Sequence, residues 1–239
     1  AMYPEMLRDE YCKEQLRDIR TSIMNDARAG KLMIDGKYQF LIPDLYAACQ
    51  YWFEGIAVPS GLLANGDVWT KQYATADKLD VLRSPHLYKE HAVRHNVCRD
   101  RPEVREWFNT NGIYTSTFDC ISKILQFDVD GDKALVVAEP TLIKVAEREC
   151  QNVVPLYYPM AKAAPQELTA EAFYKGMVAA WTGGNIGTIS NKITKIWAMP
   201  DPDVDAVKIL CMINNFVIDY AKTLYRPVIP KEWQERLAK

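Results

Sequence analysis

Apolar positions recur at helical spacing toward both ends of the chain and at strand spacing in the middle. Near the start, Leu7, Tyr11, Leu16, Ile19 and Ile23 mark one face of a helix predicted over residues 3–29, with Gly30 as its stop. Between residues 31 and 82 the pattern breaks into short apolar runs, 37–42 and 68–73. Asp35-Gly36, Pro59, Gly61 and Asn65-Gly66 separate them, turn residues at strand-like intervals. A helix predicted over 44–53 interrupts these runs, and the aromatic group Tyr46, Tyr51, Trp52 and Phe53 fits its buried face. Residues 83–127 read as loop and helix, with Pro85 and Pro102 limiting helix length. The Ala-Leu-Val-Val-Ala run at 134–138 predicts a strand. Helices return over 170–181, begun by Thr169 and Glu171 and stopped at Gly183-Gly184, and over 205–224, ended by Arg226-Pro227. The order predicts an α+β protein with a helical segment over 1–34, a β-rich domain over 35–145 and a helical region over 146–239.

Composition narrows the class. The 239 residues are 49% hydrophobic, enough for one large domain with helical additions. A net charge of −2 supplies no long-range field for nucleic acid, which argues against a free-standing nucleic-acid binder. Cys12, Cys49, Cys98, Cys120, Cys150 and Cys211 are irregularly spaced and form no CxxC pair. That pattern speaks against a disulfide framework or a four-cysteine zinc site and for reduced thiols in an intracellular, cytoplasmic compartment. No apolar run reaches the roughly 18 residues of a membrane span, and no secretory signal opens the chain.

The stretch Phe127-Asp128-Val129-Asp130-Gly131-Asp132-Lys133 carries the chemistry. Carboxylates at alternate positions of an extended or tightly turned backbone aim at one point, and Gly131 lets the backbone bend without a Cβ clash. Adjacent anions repel unless a cation neutralises them, and hard oxygen donors select Mg²⁺, Mn²⁺ or Ca²⁺. Three readings compete. In an EF-hand, Asp128, Asp130 and Asp132 occupy positions one, three and five, and Glu139 position twelve; but Lys133 stands where that loop needs glycine. In a catalytic site, the turn feeds the strand at 134–138. In the third reading, the loop is merely acidic and solvated. His91 and His95 are four apart and share a face if helical, with Cys98 or Asp100 as the nearest third ligand and His86 outside that spacing. Partly exposed histidines are the simpler reading.

Asp128 to Val137, Asp-Val-Asp-Gly-Asp-Lys-Ala-Leu-Val-Val, resembles the D-x-D-G-D signature of the RNA-dependent RNA polymerases of RNA silencing and their phage relatives. It is also similar to the aspartate signature in the largest subunit of multisubunit RNA polymerases. Further segments agree in the same order. Gly61-Leu62-Leu63-Ala64-Asn65-Gly66-Asp67-Val68-Trp69 resembles the glycine-rich turn and strand ahead of the site. Arg83-Ser84-Pro85-His86-Leu87-Tyr88 resembles the R-x-P-x-L-H segment of the largest subunit, with Tyr88 in place of the histidine. Gly184-Asn185-Ile186-Gly187-Thr188-Ile189-Ser190-Asn191 and Val217-Ile218-Asp219-Tyr220-Ala221-Lys222-Thr223 resemble the segments after the barrel. The likeness covers roughly residues 35–225.

The resemblance implies a double-psi β-barrel with flanking α-helices over 35–145, and nucleotidyl transfer with Mg²⁺ (or Mn²⁺) held by Asp128, Asp130 and Asp132. It implies that Arg83 approaches the ribose, and it makes Lys133, Asn185 and Lys192 substrate-binding candidates. Asn191 joins Asn185 as a candidate lining of the nucleic-acid path; capping and turn chemistry explain both asparagines equally well. The implied partners are nucleoside triphosphates, an RNA or DNA template with an RNA product, and a second barrel whose lysines grip phosphates. Strand signals suffice for a single barrel, so the chain is expected to be a fragment or subunit, inactive alone. A calcium-binding module and a non-catalytic barrel for protein interaction are the competing functions.

Overall fold

In a computed structural model of the protein, residues 3–83, 91–97, 101–119, 122, 127–152, 161–182 and 186–238 are described. The chain forms two compact units, Ile34–Pro159 and the combination of Ala1–Met33 with Met160–Lys239. It opens with a 3-10 turn, Pro4–Arg8, and helix α1, Glu10–Arg28. The two are separate because Asp9 adopts an extended backbone and its carboxylate accepts the Cys12 N–H, a standard N-cap. The single helix predicted over 3–29 is therefore split.

The Ile34–Pro159 unit is a closed six-stranded barrel. Its strands are β1 (Gly36–Pro43), β2 (Asp67–Trp69), β3 (Lys78–Leu82), β4 (Val93–Asn96), β5 (Gly112–Thr115) and β6 (Lys133–Val137), in the spatial order β1-β5-β2-β4-β3-β6. β1 runs parallel to β5 and β2 parallel to β4; every other pair is antiparallel. Exchanging β1 with β4, β2 with β5 and β3 with β6 maps this pairing onto itself. The barrel is thus two three-strand halves related by a topological two-fold.

Strand alternation sends Leu41, Val68, Leu79, Val81, Ile113, Ala134 and Val136 into one buried cluster. Directly paired residues share a face, as Leu41 with Ile113 and Val81 with Val136 do here. β4 contributes nothing apolar to this cluster. Its buried residues are Arg94 and Asn96. Asn96 is satisfied by donating to the Tyr73 and Ala76 carbonyls at 2.9 and 2.8 Å, which pins the turn after β2. β4 and β5 fall where loop and helix were predicted. They are only four residues each, and their partners lie far away in sequence.

Helices α2 (Leu45–Phe53) and α3 (Pro102–Trp107) cover a second apolar cluster of Leu63, Trp69, Val97, Val104, Phe108 and Tyr114. Phe108 stacks on Tyr114 with centroids 4.4 Å apart, and Trp69 donates its indole N–H to the Phe108 carbonyl at 2.7 Å. The expected aromatic face of α2 is not buried: Tyr51, Trp52 and Phe53 are 56%, 70% and 83% exposed, while Tyr46 packs edge-on against Trp107. The reason is Asp44. Its buried carboxylate accepts the Tyr46 and Ala47 N–H groups at the helix start and the Leu62 and Leu63 N–H groups of a distant turn. That clamp, with Gln50 accepting the Gly61 N–H, turns Ala47 and Gln50 inward and the 51–53 stretch outward. Helix α4, Pro140–Glu149, follows β6 and is capped by Glu139, whose carboxylate accepts the Leu142 N–H at 2.7 Å.

The other unit holds α5 (Ala170–Thr182), α6 (Ile186–Trp197), α7 (Val204–Ile218), α8 (Tyr220–Thr223) and α9 (Lys231–Ala238). Ala206, Leu210 and Ile213 form a stripe on α7 that meets Ile189, Ile193 and Ile196 of α6 and Leu237 of α9. The helix predicted over 205–224 stops at Ile218 and resumes as α8, which is followed by Leu224 with a left-handed φ of 53°. No helix among the described residues is long and apolar enough to cross a membrane. None of Cys12, Cys49, Cys150 and Cys211 is in a disulfide; Cys98 and Cys120 lie outside the described residues.

Gly61 sits at φ +66° against the Asp44 carboxylate, where an added Cβ would clash. Gly61→Ala is expected to destabilise the barrel unit by about 2 kcal/mol or more, and Asp44→Ala by about 2–4 kcal/mol through loss of a cap and orphaned N–H groups. Urea denaturation of both variants checks this; an unchanged midpoint would show that the clamp contributes nothing.

Candidate active site

The acidic turn lies on the connection into β6, and the two carboxylate positions nearest its ends are held differently. Gly131 takes φ +135°, a conformation side chains rarely allow, and lets the chain swing into the strand. The Asp132 carbonyl accepts the Leu41 N–H at 2.9 Å, which extends the β1–β6 ladder just beyond the Phe40–Lys133 rung. The Asp132 backbone is therefore part of the barrel wall. Its carboxylate Oδ2 accepts the Arg83 Nε–H at 2.7 Å. Arg83 directly follows β3, and the antiparallel β3–β6 register brings the end of β3 beside the start of β6. Asp128 and Asp130 are exposed, whereas the Asp132 side chain is 31% exposed. Among the described residues, no three His, Cys, Asp or Glu side chains are gathered closely enough to hold a metal ion. The three aspartates offer hard oxygen donors, one anchored at Asp132 and two standing in solvent.

The remaining candidates are dispersed. The Lys133 ammonium lies 4.6 Å from the Phe40 ring centroid, a cation–π contact on the barrel surface beside Asp132. In the helical unit, the Lys192 ammonium donates to the Leu237 carbonyl at 3.2 Å, close to the end of α9. Asn185, His86, Cys98 and Asp100 lie outside the described residues, as do Ser84 to Glu90 of the segment that begins at Arg83.

Two of the alternatives open to the sequence do not hold. Residues 133–137 are a strand paired on both sides, and Glu139 caps α4. Five strand residues place about 17 Å between the acidic turn and Glu139, so Asp128 to Glu139 do not encircle a single calcium ion as an EF-hand does. His91 and His95 do not share a helix face, because His95 belongs to β4. Each pairs with its own carboxylate, His91 Nδ1 with Asp80 Oδ2 at 2.9 Å and His95 Nδ1 with Asp67 Oδ1 at 3.0 Å.

A buried polar group escaped the sequence reading. Arg94 is 3% exposed on the same face as its strand partner Leu79. Its guanidinium lies 3.2 Å from Asp119 Oδ2 and donates to Ser122 Oγ at 3.4 Å, and Ser122 Oγ donates to Asp119 Oδ2 at 2.6 Å. Burial pushes the guanidinium below its ordinary pKa, and the carboxylates of Asp119 and Asp80 oppose that. Arginine is almost never fully buried unless paired, so periodicity alone gives no signal for it.

No protein-family model matches the chain. It is 45% identical over 237 residues to the DNA-directed RNA polymerase YonO of Bacillus phage SPbeta. The match takes in 99% of this chain and 28% of that protein, so the chain spans well under a third of its relative's length.

The Arg83–Asp132 pair is half-sheltered, with side chains 22% and 31% exposed. Arg83→Met is expected to lower stability by about 1 kcal/mol, and by less at high salt. Denaturant titrations at low and high ionic strength check this; a loss above about 3 kcal/mol would mark a buried structural pair instead.

Proposed function

We propose that residues 34–159 form the metal-binding catalytic barrel of a DNA-templated RNA polymerase of the double-psi type. The observation that carries the reading is the Asp128-Val129-Asp130-Gly131-Asp132 turn set on the rim of a closed barrel and anchored at Asp132. The closed six-stranded ring and the two-fold symmetry of its strand pairing are compatible with the double-psi assignment. The relative's name favours DNA over RNA as template.

In this reading Asp128, Asp130 and Asp132 hold Mg²⁺ or Mn²⁺. The ions would lower the pKa of the attacking 3′-hydroxyl and neutralise the leaving pyrophosphate. The protein's part is positioning. Asp132 is fixed by the barrel ladder and by Arg83, so one ligand is preorganised. Asp128 and Asp130 are exposed on the turn and would supply the further carboxylate oxygens. Arg83 steadies Asp132 and offers guanidinium donors to the ribose hydroxyls, which favours ribonucleotides. Lys133, held beside Phe40, stands next to Asp132 where a phosphate would approach. Asn185, Asn191 and Lys192 are assigned to the nucleic-acid path. The phosphate-gripping lysines come from a second barrel outside these residues, consistent with the chain's 28% share of its relative.

In the full-length protein, Asp130→Asn is expected to reduce nucleotide incorporation by about 10²–10³-fold or more, through weaker neutralisation of developing phosphate charge. Without metal, the same change relieves repulsion in the turn and leaves the melting temperature equal or higher. Primer extension on DNA and RNA templates, run beside a metal-free melt, tests both. Full activity in the variant would remove the turn from catalysis, and loss of fold would make it structural. No incorporation by the wild-type protein with Mg²⁺ or Mn²⁺ would favour a non-catalytic barrel.

Alone, these 239 residues carry a net charge of −2. Their affinity for nucleic acid is expected to be no tighter than non-specific binding, about 10⁻⁴–10⁻⁶ M at physiological salt. A filter-binding titration with a salt series would overturn this if it gave nanomolar affinity.

A further inference from the structure

The acidic turn has two ends, and the barrel ladder secures only the outgoing one. The incoming end arrives from the segment that follows β5, and its anchor is a buried ion pair. Asp119 and Ser122 are 4% and 7% exposed, and both close on Arg94. The Ser122 carbonyl accepts the Phe127 N–H at 2.9 Å, which ties the residue directly before Asp128 to Ser122. Phe127 packs against the barrel's apolar cluster. A continuous set of contacts therefore leads from β4, through Arg94, Asp119, Ser122 and Phe127, to the first carboxylate of the turn.

The composition of this anchor is informative. Arg94 occupies an inward position of β4, facing the same way as Leu79, where an aliphatic side chain would pack without desolvating a charge. Its Nε has no hydrogen-bond partner among the described residues, so the site is not optimised for burial alone. What a guanidinium adds is direction. Its fork meets both oxygens of one carboxylate, Nη1 with Oδ1 at 3.4 Å and Nη2 with Oδ2 at 3.2 Å. The Ser122 hydroxyl closes the triangle at 2.6 Å from Oδ2. Such an arrangement tolerates little sliding of Asp119 and Ser122 relative to β4.

We infer that Arg94, with Asp119 and Ser122, is a positioning set for the acidic turn: through the Ser122–Phe127 hydrogen bond it fixes the residue before Asp128, so that Asp128 would meet an ion held at Asp132. This rests on the metal-binding reading of the turn. Outer contacts that orient metal ligands commonly change metal affinity by about 10–100-fold.

The test measures Mn²⁺ binding directly, by the loss of the free-ion electron paramagnetic resonance signal, on the full-length protein without nucleotide. Ser122→Ala and Asp119→Asn are expected to weaken Mn²⁺ binding by about 10-fold or more, and Ser122→Thr, which keeps the hydroxyl, to restore it. Gly61→Ala, which strains the barrel unit elsewhere, is the control: it lowers the melting temperature and leaves Mn²⁺ affinity unchanged. If Ser122→Ala and Asp119→Asn melt early yet bind Mn²⁺ as tightly as wild type, the set is structural and the inference falls. If Asp130→Asn itself leaves Mn²⁺ binding unchanged, the metal reading of the turn falls first. Ser122→Ala keeps the test decisive should Asp119→Asn fail to fold.

Discussion

The pairing of β1 with both β5 and β6 ties Gly36–Pro43 to strands that begin at Gly112 and Lys133, and the barrel unit depends on it. Those contacts span most of the unit's sequence, and the loop entropy of making them is repaid only when the ring closes. Closure removes every free strand edge and seals Leu41, Val68, Leu79, Val81, Ile113, Ala134 and Val136 from water. Each Leu, Ile or Val among them contributes about 1.5–3 kcal/mol when fully buried. The same ladder carries Asp132 on its rim, so forming the barrel and anchoring the acidic turn are one event.

Buried polar groups do the locating. The Asp44 carboxylate fixes where α2 begins and which turn it faces, and Asn96 fastens the turn after β2. Arg94 holds Asp119 and Ser122, ahead of the acidic turn. Apolar packing tolerates small shifts, whereas a buried donor or acceptor without its partner costs about 1–3 kcal/mol. These groups therefore set register where the hydrophobic cluster alone would leave it loose.

The turn combines one constrained carboxylate with two exposed ones. A rigid cluster of three anions would be strained in the absence of a cation, and a fully loose one would lose entropy on closing round it. Anchoring at Asp132 with Asp128 and Asp130 in solvent falls between these extremes. The chain carries a mildly negative net charge and matches 28% of the length of the YonO polymerase.

Local chemistry was legible from the residues themselves. The alternating aspartates around Gly131, the β-branched run of β6, β1, and the helix begun by Asp44 all carry short-range signals, and each is found close to its predicted place. What only the tertiary structure decided is non-local. β4 and β5 are four residues long and exist because distant strands pair with them. His91 and His95 part company because β4 is extended, and Phe53 is exposed because Asp44 turns α2 the other way. Arg94 is buried because a carboxylate and a hydroxyl from another segment meet it there. A sequence displays the propensity of a residue, but the partner that makes burying a charge tolerable is supplied only by the closed fold.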